Sequence, residues 1–314
     1  MKTGVSYMGC HSPRHLATDI QDMAKLGIDD VLLAIQENDF AYFTGKMCFT
    51  PRIAKDHGLR PLAVFWGALN LFGGGRSSQF LLDHPEGFQV TLDGAHLPQG
   101  CYVNPACVGR VKEMIDAVAD SGFEGYFVDE PTPLRNCFCK SCRRRFEDWY
   151  GADLARAPRD RQEEFRRRCC IEYVRTICDY CKTAHPSLET LCCVMPCDEA
   201  LWETMAALPG LDSLGTDIYW TNNDRNVEEM VPLVRRMAAT CRTHRRRHHE
   251  WLQCWDVRRG CEERVLQQGK VLIHEKPDAL YIWAWEGQTG VTETCDDPVR
   301  AWAKACEVLA LAKR

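Results

Sequence analysis

The sequence lacks the long apolar runs, the strong basic charge and the leader segment that mark several common classes of protein. No window approaches the roughly 18 consecutive apolar residues of a membrane-spanning helix. Lys and Arg number 39 against 44 Asp and Glu, and the resulting net charge of −5 is not that of a nucleic-acid-binding protein. The first residues contain no apolar core of a secretory signal. We therefore expect a cytoplasmic protein with no membrane and no nucleic-acid partner.

Glycine-rich phosphate-binding motifs are missing as well. No GxGxxG follows the first apolar run, and the glycine run at 73–75 is not followed by Lys-Ser or Lys-Thr. The sequence therefore indicates neither a dinucleotide-binding fold nor a nucleotide-binding P-loop.

Cysteine, by contrast, is abundant. The chain has 19 cysteines among 314 residues, an odd number in a chain too long for a small disulfide scaffold. Most lie within apolar segments, where a reduced thiol packs as a small hydrophobic group. Cys178 and Cys181 form a CxxC inside a helical pattern and are assigned to the core. We expect reduced thiols, with one cluster reserved for a metal.

Short apolar runs alternate with longer amphipathic ones along the whole chain, a pattern typical of repeated strand–helix units. Eight such units in strict order predict a single (β/α)8 barrel domain over residues 1–314. The long connections after strands three and four fall on the carboxyl-terminal face, where barrels build active sites. The predicted strands are residues 3–9, 30–36, 60–67, 125–129, 190–196, 213–220, 251–257 and 279–286.

A CxCxxC segment follows predicted strand four. Cys137, Cys139 and Cys142 lie within six residues, directly before a helix, and tetrahedral zinc requires four sulfur or nitrogen ligands. Cys101, in the loop before the preceding helix, can supply the fourth thiolate, and Cys107 is its rival. Four thiolates close the coordination sphere, so the predicted Zn²⁺ is structural.

Two adjacent carboxylates, Asp129 and Glu130, end strand four and are followed by Pro131. Capping of the next helix does not explain them, because that helix starts some ten residues later. Desolvation among aromatic side chains would raise the pKa of Glu130, as a general acid near neutral pH requires.

Polar and aromatic side chains also lie at the ends of the other predicted strands. Tryptophan and tyrosine beside carboxylates suit a sugar, whose C–H face stacks on aromatic rings while its hydroxyl groups meet the acids. We therefore predict a carbohydrate partner. The predicted substrate-binding residues are His11, Glu37, Trp66, Tyr219, Trp220, Gln253, Trp285 and Glu286.

At these residues the sequence resembles the (β/α)8 retaining glycoside hydrolases, most closely the family 42 β-galactosidases. In that family an Asn-Glu pair ends strand four and precedes a CxCxxC segment with an aromatic second position, as Asp129-Glu130 precedes the segment from Cys137 to Cys142 here. The family's fourth zinc cysteine has the spacing C-x-x-x-P-A, which the segment starting at Cys101 reproduces. The specific match covers residues 101–150.

The resemblance implies that Glu130 is the acid/base and that the four cysteines bind zinc. Two positions depart from the family pattern: Asp129 replaces the Asn that bonds the sugar 2-hydroxyl, and no Glu ends strand seven, where the nucleophile belongs. Asp256 is the carboxylate nearest to that position. Asp217 on strand six and Glu286 on strand eight compete with it as the second catalytic group.

Three alternatives stay open. The Asp-x-Tyr at Asp217 is similar to that of chitinase-like enzymes, which use one acid and assistance from the substrate, although the DxxDxDxE run is absent. The missing Glu on strand seven also suits a sugar-binding pseudo-enzyme. A metal-dependent hydrolase would need His-x-His on strand one, where only His11 occurs. The sugar, the anomeric outcome and association into a homo-oligomer are not determined by the sequence.

Overall fold

The computed structural model of the chain describes residues 1–71, 77–134, 136–220 and 226–314. The glycine run at 73–75 lies outside these ranges. All nineteen cysteines are free thiols. Within the described ranges, no helix has both the length and the apolar character needed to cross a bilayer.

Eight parallel strands close into a barrel, which confirms the predicted (β/α)8 fold. Their order around the barrel is β1–β10–β9–β8–β7–β6–β3–β2, and β1 closes the ring by pairing with both β2 and β10. The remaining two strands, β4 and β5, form an antiparallel hairpin in the connection after β3. The strands are β1 (Lys2–Tyr7), β2 (Asp30–Ile35), β3 (Arg60–Phe65), β4 (Phe88–Val90), β5 (His96–Gly100), β6 (Gly125–Val128), β7 (Glu189–Val194), β8 (Ser213–Thr216), β9 (Arg247–Gln253) and β10 (Ala279–Trp283).

Helices connect the strands and cover the outside of the barrel. Predicted strands four to eight correspond to β6 to β10. The helices in the described ranges are α1 (Pro13–Lys25), α2 (Glu37–Ala41), α3 (Thr44–Asp56), α4 (Gln79–Asp83), α5 (Pro105–Asp120), α6 (Lys140–Tyr150), α7 (Arg159–Ala184), α8 (Glu199–Ala206), α9 (Val231–His244), α10 (Glu263–His274) and α11 (Pro298–Ala312).

The barrel strands are apolar throughout because both of their faces are buried. In β2, Leu32 and Ala34 belong to a small cluster inside the barrel, whereas Val31, Leu33 and Ile35 pack in the larger core against the helices. This alternation follows from the two-residue period of a strand. Because the barrel strands are parallel, residues that follow them collect at the carboxyl end of the barrel.

The amino-terminal end of the barrel is closed by an ionic network. Arg60, the first residue of β3, donates to both carboxylate oxygens of Asp30 at 2.9 and 2.6 Å and also pairs with Glu189, the first residue of β7. The hydroxyl of Tyr281 donates to Asp30 at 3.2 Å. This network joins β2, β3, β7 and β10 at the end opposite the predicted site.

The predicted element boundaries differ from the structure in three places. Most predicted strands continue two to four residues too far, and β9 starts at Arg247 rather than at residue 251. The sequence pattern predicts a helix over residues 41–55, which corresponds to α3, whereas the short helix α2 was not predicted. The hairpin of β4 and β5 and the short helix α4 were not predicted, because each is brief and lies within a long connection.

Candidate active site

The loop after β6 carries the adjacent carboxylates Asp129 and Glu130. Asp129 is buried, and burial together with the charge of Glu130 raises the pKa of Asp129 well above its usual range. Glu130 takes the left-handed backbone conformation, with φ of +42°. That conformation costs a non-glycine residue on the order of 1 kcal/mol, and such residues concentrate at functional sites.

Asp217 directly follows β8 and completes an acidic cluster with this pair. The residue is 5% exposed, and its Oδ1 has no hydrogen-bond partner among the described residues. Burial raises the pKa of Asp217 well above its usual range, and the charge of Glu130, a side-chain hydrogen bond with Glu130 and the charge of Asp129 raise it further. Glu130 and Asp217 therefore lie close together at the carboxyl ends of β6 and β8.

Two further side chains border this acidic cluster. Burial raises the pKa of Tyr219 and that of Cys193, and the nearby charges of Asp217, Glu130 and Asp129 add to both shifts. Cys193 lies in β7, the strand between β6 and β8. In the described part of the chain, no lysine or arginine forms an ion pair with the three carboxyl groups. Burial in this cluster thus favours the protonated forms of Asp129 and Asp217.

Buried aromatic rings line the barrel interior next to the acids. We call the five residues Trp66, Tyr219, Trp251, Trp255 and Trp283 the inner aromatic cluster. Tyr219 meets Trp255 edge to face at 5.3 Å between centroids, and Trp283 lies 6.2 Å from Trp66 and 5.8 Å from Trp251. Aromatic surfaces of this kind are where the C–H face of a sugar would stack.

Gln253 occupies the end of barrel strand seven, where the resembled family has its nucleophile. The side chain is fully buried, its Oε1 accepts from the backbone N–H of Trp220, and its Nε2 donates to the carbonyl of Trp255, both at 3.0 Å. Gln253 thereby ties the loop after β8 to the loop after β9. It was predicted to bind substrate, and the structure gives it these backbone contacts.

Asp256 and Glu286 lie apart from the acidic cluster. The prediction that they lie along strands seven and eight is wrong, because β9 ends at Gln253 and β10 at Trp283. Both are exposed and both have positive φ, of +48°. Partial burial and the charges of Asp19 and Asp22 raise the pKa of Glu286, which places it beside α1 rather than beside Glu130.

Three other predicted substrate residues make contacts within the fold. Trp220 belongs to the outer core and lies 5.5 Å from the Arg264 guanidinium on α10, and Trp285 packs against Trp302 of α11 at 4.8 Å. Glu37 accepts hydrogen bonds from the N–H groups of Leu69 and Phe80 at 2.7 and 3.2 Å and from the hydroxyl of Ser78 at 2.6 Å. Glu37 thus holds the connection after β3.

His11 lies at the rim of a separate cavity of about 170 Å³ at the carboxyl ends of β1, β2 and β3. Its ring stacks on Phe43 at 4.0 Å. Trp66 lines this cavity and also belongs to the inner aromatic cluster. The structure therefore brings together Asp129, Glu130, Asp217 and Tyr219, and connects Trp66 and His11 to the same end of the barrel.

The four predicted cysteine ligands form one buried group. Their sulfur atoms all lie within 4.8 Å of one another, with Cys101 at 3.8, 3.7 and 3.5 Å from Cys137, Cys139 and Cys142. The rival ligand Cys107 lies outside the group, since its thiol donates to the carbonyl of Gly87 at 3.4 Å. The group can bind a metal.

Some residues of this region are not among the predicted substrate-binding residues. Trp255 and Trp283, rather than Trp285, belong to the inner aromatic cluster, and Lys46 lines the cavity beside His11. The two-residue alternation that places Tyr281 inside the barrel also selects Trp283. Nothing in the sequence around Lys46 indicates its position, because that position depends on how α3 packs.

Fold and site together define a (β/α)8 barrel with an acidic cluster at the carboxyl ends of its strands, the end at which barrels of this architecture hold their active sites. Three solved structures share the fold. The β-galactosidase of the Antarctic haloarchaeon Halorubrum lacusprofundi is 17% identical, with a TM-score of 0.72 over 100% of this chain and 58% of its own. The β-galactosidase of Marinomonas ef1 is 13% identical, with a TM-score of 0.75 over 100% of this chain and 60% of its own.

The third is the endo-1,4-β-mannanase of Rhizomucor miehei, 10% identical, with a TM-score of 0.68 over 99% of this chain and 95% of its own. At these identities the likeness shows the fold alone. The chain spans about three fifths of the length of the two β-galactosidases. No protein-family model and no curated protein matches the sequence.

Proposed function

We propose that this protein is a glycoside hydrolase that cleaves an O-glycosidic bond of a carbohydrate. The observation that carries the proposal is the Glu130–Asp217 carboxyl pair at the barrel mouth, beside Tyr219. Glycosidic cleavage needs a proton for the leaving oxygen and a second group that stabilises the oxocarbenium-like transition state. The shared fold with β-galactosidases and a β-mannanase supports the same reaction class.

Glu130 is the proposed proton donor and Asp217 the proposed second carboxyl group. Burial and the charge of Glu130 both raise the pKa of Asp217, so this position binds a proton more readily than an exposed aspartate does. In the proposed reaction the leaving oxygen receives its proton from Glu130. We favour Asp217 over Asp256 and Glu286, since both of these are exposed on loops.

Asp129 is proposed to act as a hydrogen-bond donor. A protonated aspartic acid has nearly the shape of asparagine and can donate where the Asn of the resembled family bonds the sugar 2-hydroxyl. The raised pKa of Asp129 favours retention of that proton.

A sugar-binding protein without hydrolytic activity is the second candidate function. The observation in its favour is Gln253, because an amide with both of its polar atoms engaged cannot act as a nucleophile. A mechanism with assistance from the substrate needs no protein nucleophile and is compatible with the same residue.

Glu130→Gln tests the two functions on a panel of aryl β-galactosides, aryl β-mannosides and manno-oligosaccharides. If Glu130 is the acid, turnover of any accepted substrate falls by about 10²–10⁴-fold while its binding persists. Glu147→Gln, an exposed glutamate on α6, is the matched control and keeps full activity. Binding without turnover in the unmodified protein would support the second function, and full activity of Glu130→Gln would contradict its assigned role.

We further propose that the four-cysteine group binds structural Zn²⁺. Tetrahedral zinc with Zn–S bonds of about 2.3 Å places the sulfur atoms about 3.8 Å apart, close to the 3.5–3.8 Å that separate Cys101 from the other three sulfur atoms. The metal would link the segment before α5 to the loop after β6. In the described ranges, this is the only group of three or more histidine, cysteine and carboxylate side chains placed so that they could hold a metal ion.

A further inference from the structure

The cavity at the carboxyl ends of β1, β2 and β3 contains a buried ion pair that the proposed hydrolysis does not use. Lys46 Nζ lies 2.7 Å from Asp39 Oδ1, and both side chains are about 5% exposed. Asp39 also accepts from the backbone N–H of Gln36 at 2.9 Å, and Lys46 donates to the carbonyl of Met8 at 3.4 Å. These contacts fix both charged groups against the cavity wall.

Lys46 retains hydrogen-bonding capacity toward the cavity. An ammonium group has three N–H donors, and Asp39 and Met8 take two of them within the described part of the chain. Gly9 makes room for the lysine stem, since a Cβ at that position would lie 2.8 Å from Lys46 Cδ. A buried lysine aimed at a cavity with one donor to spare favours a ligand with an oxygen acceptor.

The walls restrict the ligand further. Trp66 forms one wall, and the stacked rings of His11 and Phe43 form the rim. The volume of about 170 Å³ gives room for one sugar ring. Because Asp39 neutralises the charge of Lys46, the pair does not favour a charged ligand. An ammonium group beside a carboxylate instead matches two neighbouring hydroxyl groups, one that accepts from Lys46 and one that donates to Asp39.

The cavity lies beside the acidic cluster at the barrel mouth, because β3 pairs directly with β6, the strand that precedes Asp129 and Glu130. The third acid, Asp217, follows β8, which lies across the barrel from β2. We propose that the cavity is a subsite for one neutral sugar ring, held by Lys46 and Asp39 through vicinal hydroxyl groups and stacked against Trp66. The inference rests on the proposed carbohydrate function and adds a second binding position for the same substrate.

Calorimetric titration with D-galactose, D-mannose, D-glucose and D-glucuronate tests the subsite. The key variant is the double substitution Lys46→Met with Asp39→Asn, which removes both charges together and leaves an oxygen to accept from Gln36. Its affinity for the best neutral sugar should fall about tenfold or more, the usual loss for a hydrogen bond to a charged group. Phe43→Ala, at the exposed rim, should weaken binding severalfold, and Tyr42→Ala, which is 82% exposed and outside the cavity, is the matched control.

Several results would overturn the proposal: no binding of any of the four sugars, unchanged affinity in the double variant, or glucuronate bound much more tightly than the neutral sugars. Repeating the titration in Glu130→Gln separates this inference from the hydrolase. Sugar binding that depends on Lys46, in a protein that hydrolyses no glycoside, would retain the subsite and reject the hydrolase. If the protein hydrolyses a glycoside and the Lys46 substitution changes neither KM nor the sugar affinities, the hydrolase would be retained and the subsite rejected.

Discussion

Burial changes the chemistry of the Asp129 side chain. Asp129 directly follows β6 and precedes Glu130, and its side chain has little access to water. Both burial and the neighbouring charge disfavour the ionised form, so the pKa of Asp129 is raised. Under the proposed function, a protonated Asp129 would offer a hydrogen-bond donor at the position where the resembled family has asparagine.

Asp129→Asn should therefore retain activity near neutral pH, within a few-fold. As pH rises through the raised pKa of Asp129, the unmodified protein loses the proton and the donor, whereas the asparagine variant keeps its amide. The loss of kcat/KM at high pH should accordingly move upward in the variant, which pH–rate profiles would show. Asp148→Asn, an exposed residue on α6, is the control. A variant inactive at every pH would contradict the role of donor.

At Gln253, in contrast to Asp129, we expect that exchange between amide and carboxylate is not tolerated, because its neighbours require both an acceptor and a donor. Gln253→Glu would place a carboxylate against the carbonyl of Trp255, 3.0 Å from the atom that now donates to it. We expect the substitution to destabilise the fold by about 1–3 kcal/mol, the cost of an unsatisfied buried group, without raising turnover. Urea denaturation compared with the exposed control Gln267→Glu measures this, and a gain of hydrolysis at unchanged stability would show that position 253 tolerates a nucleophile.

At the scale of elements, the strands could be predicted from sequence because each is buried on both faces and reads as an apolar run. Their ends could not, since Trp66 and Tyr219 continue the apolar pattern just after β3 and β8 have ended. The start of β9 was missed because its first residues are polar. His248 and His249 are nevertheless buried. The ring of His248 is hydrogen-bonded to Glu250 at 2.6 Å, and that of His249 to Ser213 at 2.8 Å.

The candidate site divides in the same way. The cysteine group was predictable because three of its four members are close in the chain and their spacing alone restricts the geometry. The pairing of Glu130 with Asp217 requires the strand order, and the placement of Trp285 against α11 requires the exact end of β10. These contacts join residues that are far apart in the chain, so they depend on how the elements pack, which cannot be predicted from a single sequence.

The cysteine group also makes a prediction for the loop that it holds. Cys139 is the N-cap of α6, and the N–H of Phe138 donates to the carbonyl of Val90 in β4, so zinc would join α6, the hairpin and α5. Cys101→Ser should reduce the bound zinc from one per chain and lower the melting temperature, as should a chelator. Cys107→Ser, at a buried neighbour outside the group, should retain the zinc. Freshly purified reduced protein without zinc would refute the proposal.

At the scale of the whole molecule, the two ends of the barrel contribute differently to stability. The network around Arg60 pairs its charges, whereas Asp129 and Asp217 are buried and form no ion pair with a cation among the residues that the structure describes. For Asp217 the pKa in the folded state lies above the unfolded value of about 3.9, so the folded state binds more protons. Asp217 therefore contributes favourably to the free energy of unfolding at pH values below its pKa in the unfolded chain. This contribution is lost as pH rises through its pKa in the folded state.

Asp217→Asn should therefore be more stable than the unmodified protein at pH 8, by on the order of 1–2 kcal/mol, and nearly equal to it at pH 4. The same variant should lose hydrolytic activity. Thermal unfolding across this pH range measures the difference, with Asp148→Asn as control. A stability gap independent of pH would show that Asp217 ionises normally in the folded protein.

The inner aromatic cluster has a spectroscopic consequence. Four of the nine tryptophans of the chain, Trp66, Trp251, Trp255 and Trp283, lie together inside the barrel mouth. Indole emission responds to local polarity, so displacement of water by a sugar at this end should shift the intrinsic fluorescence of the unlabelled protein. Binding could then be followed by the emitted light, before any substrate for turnover has been identified.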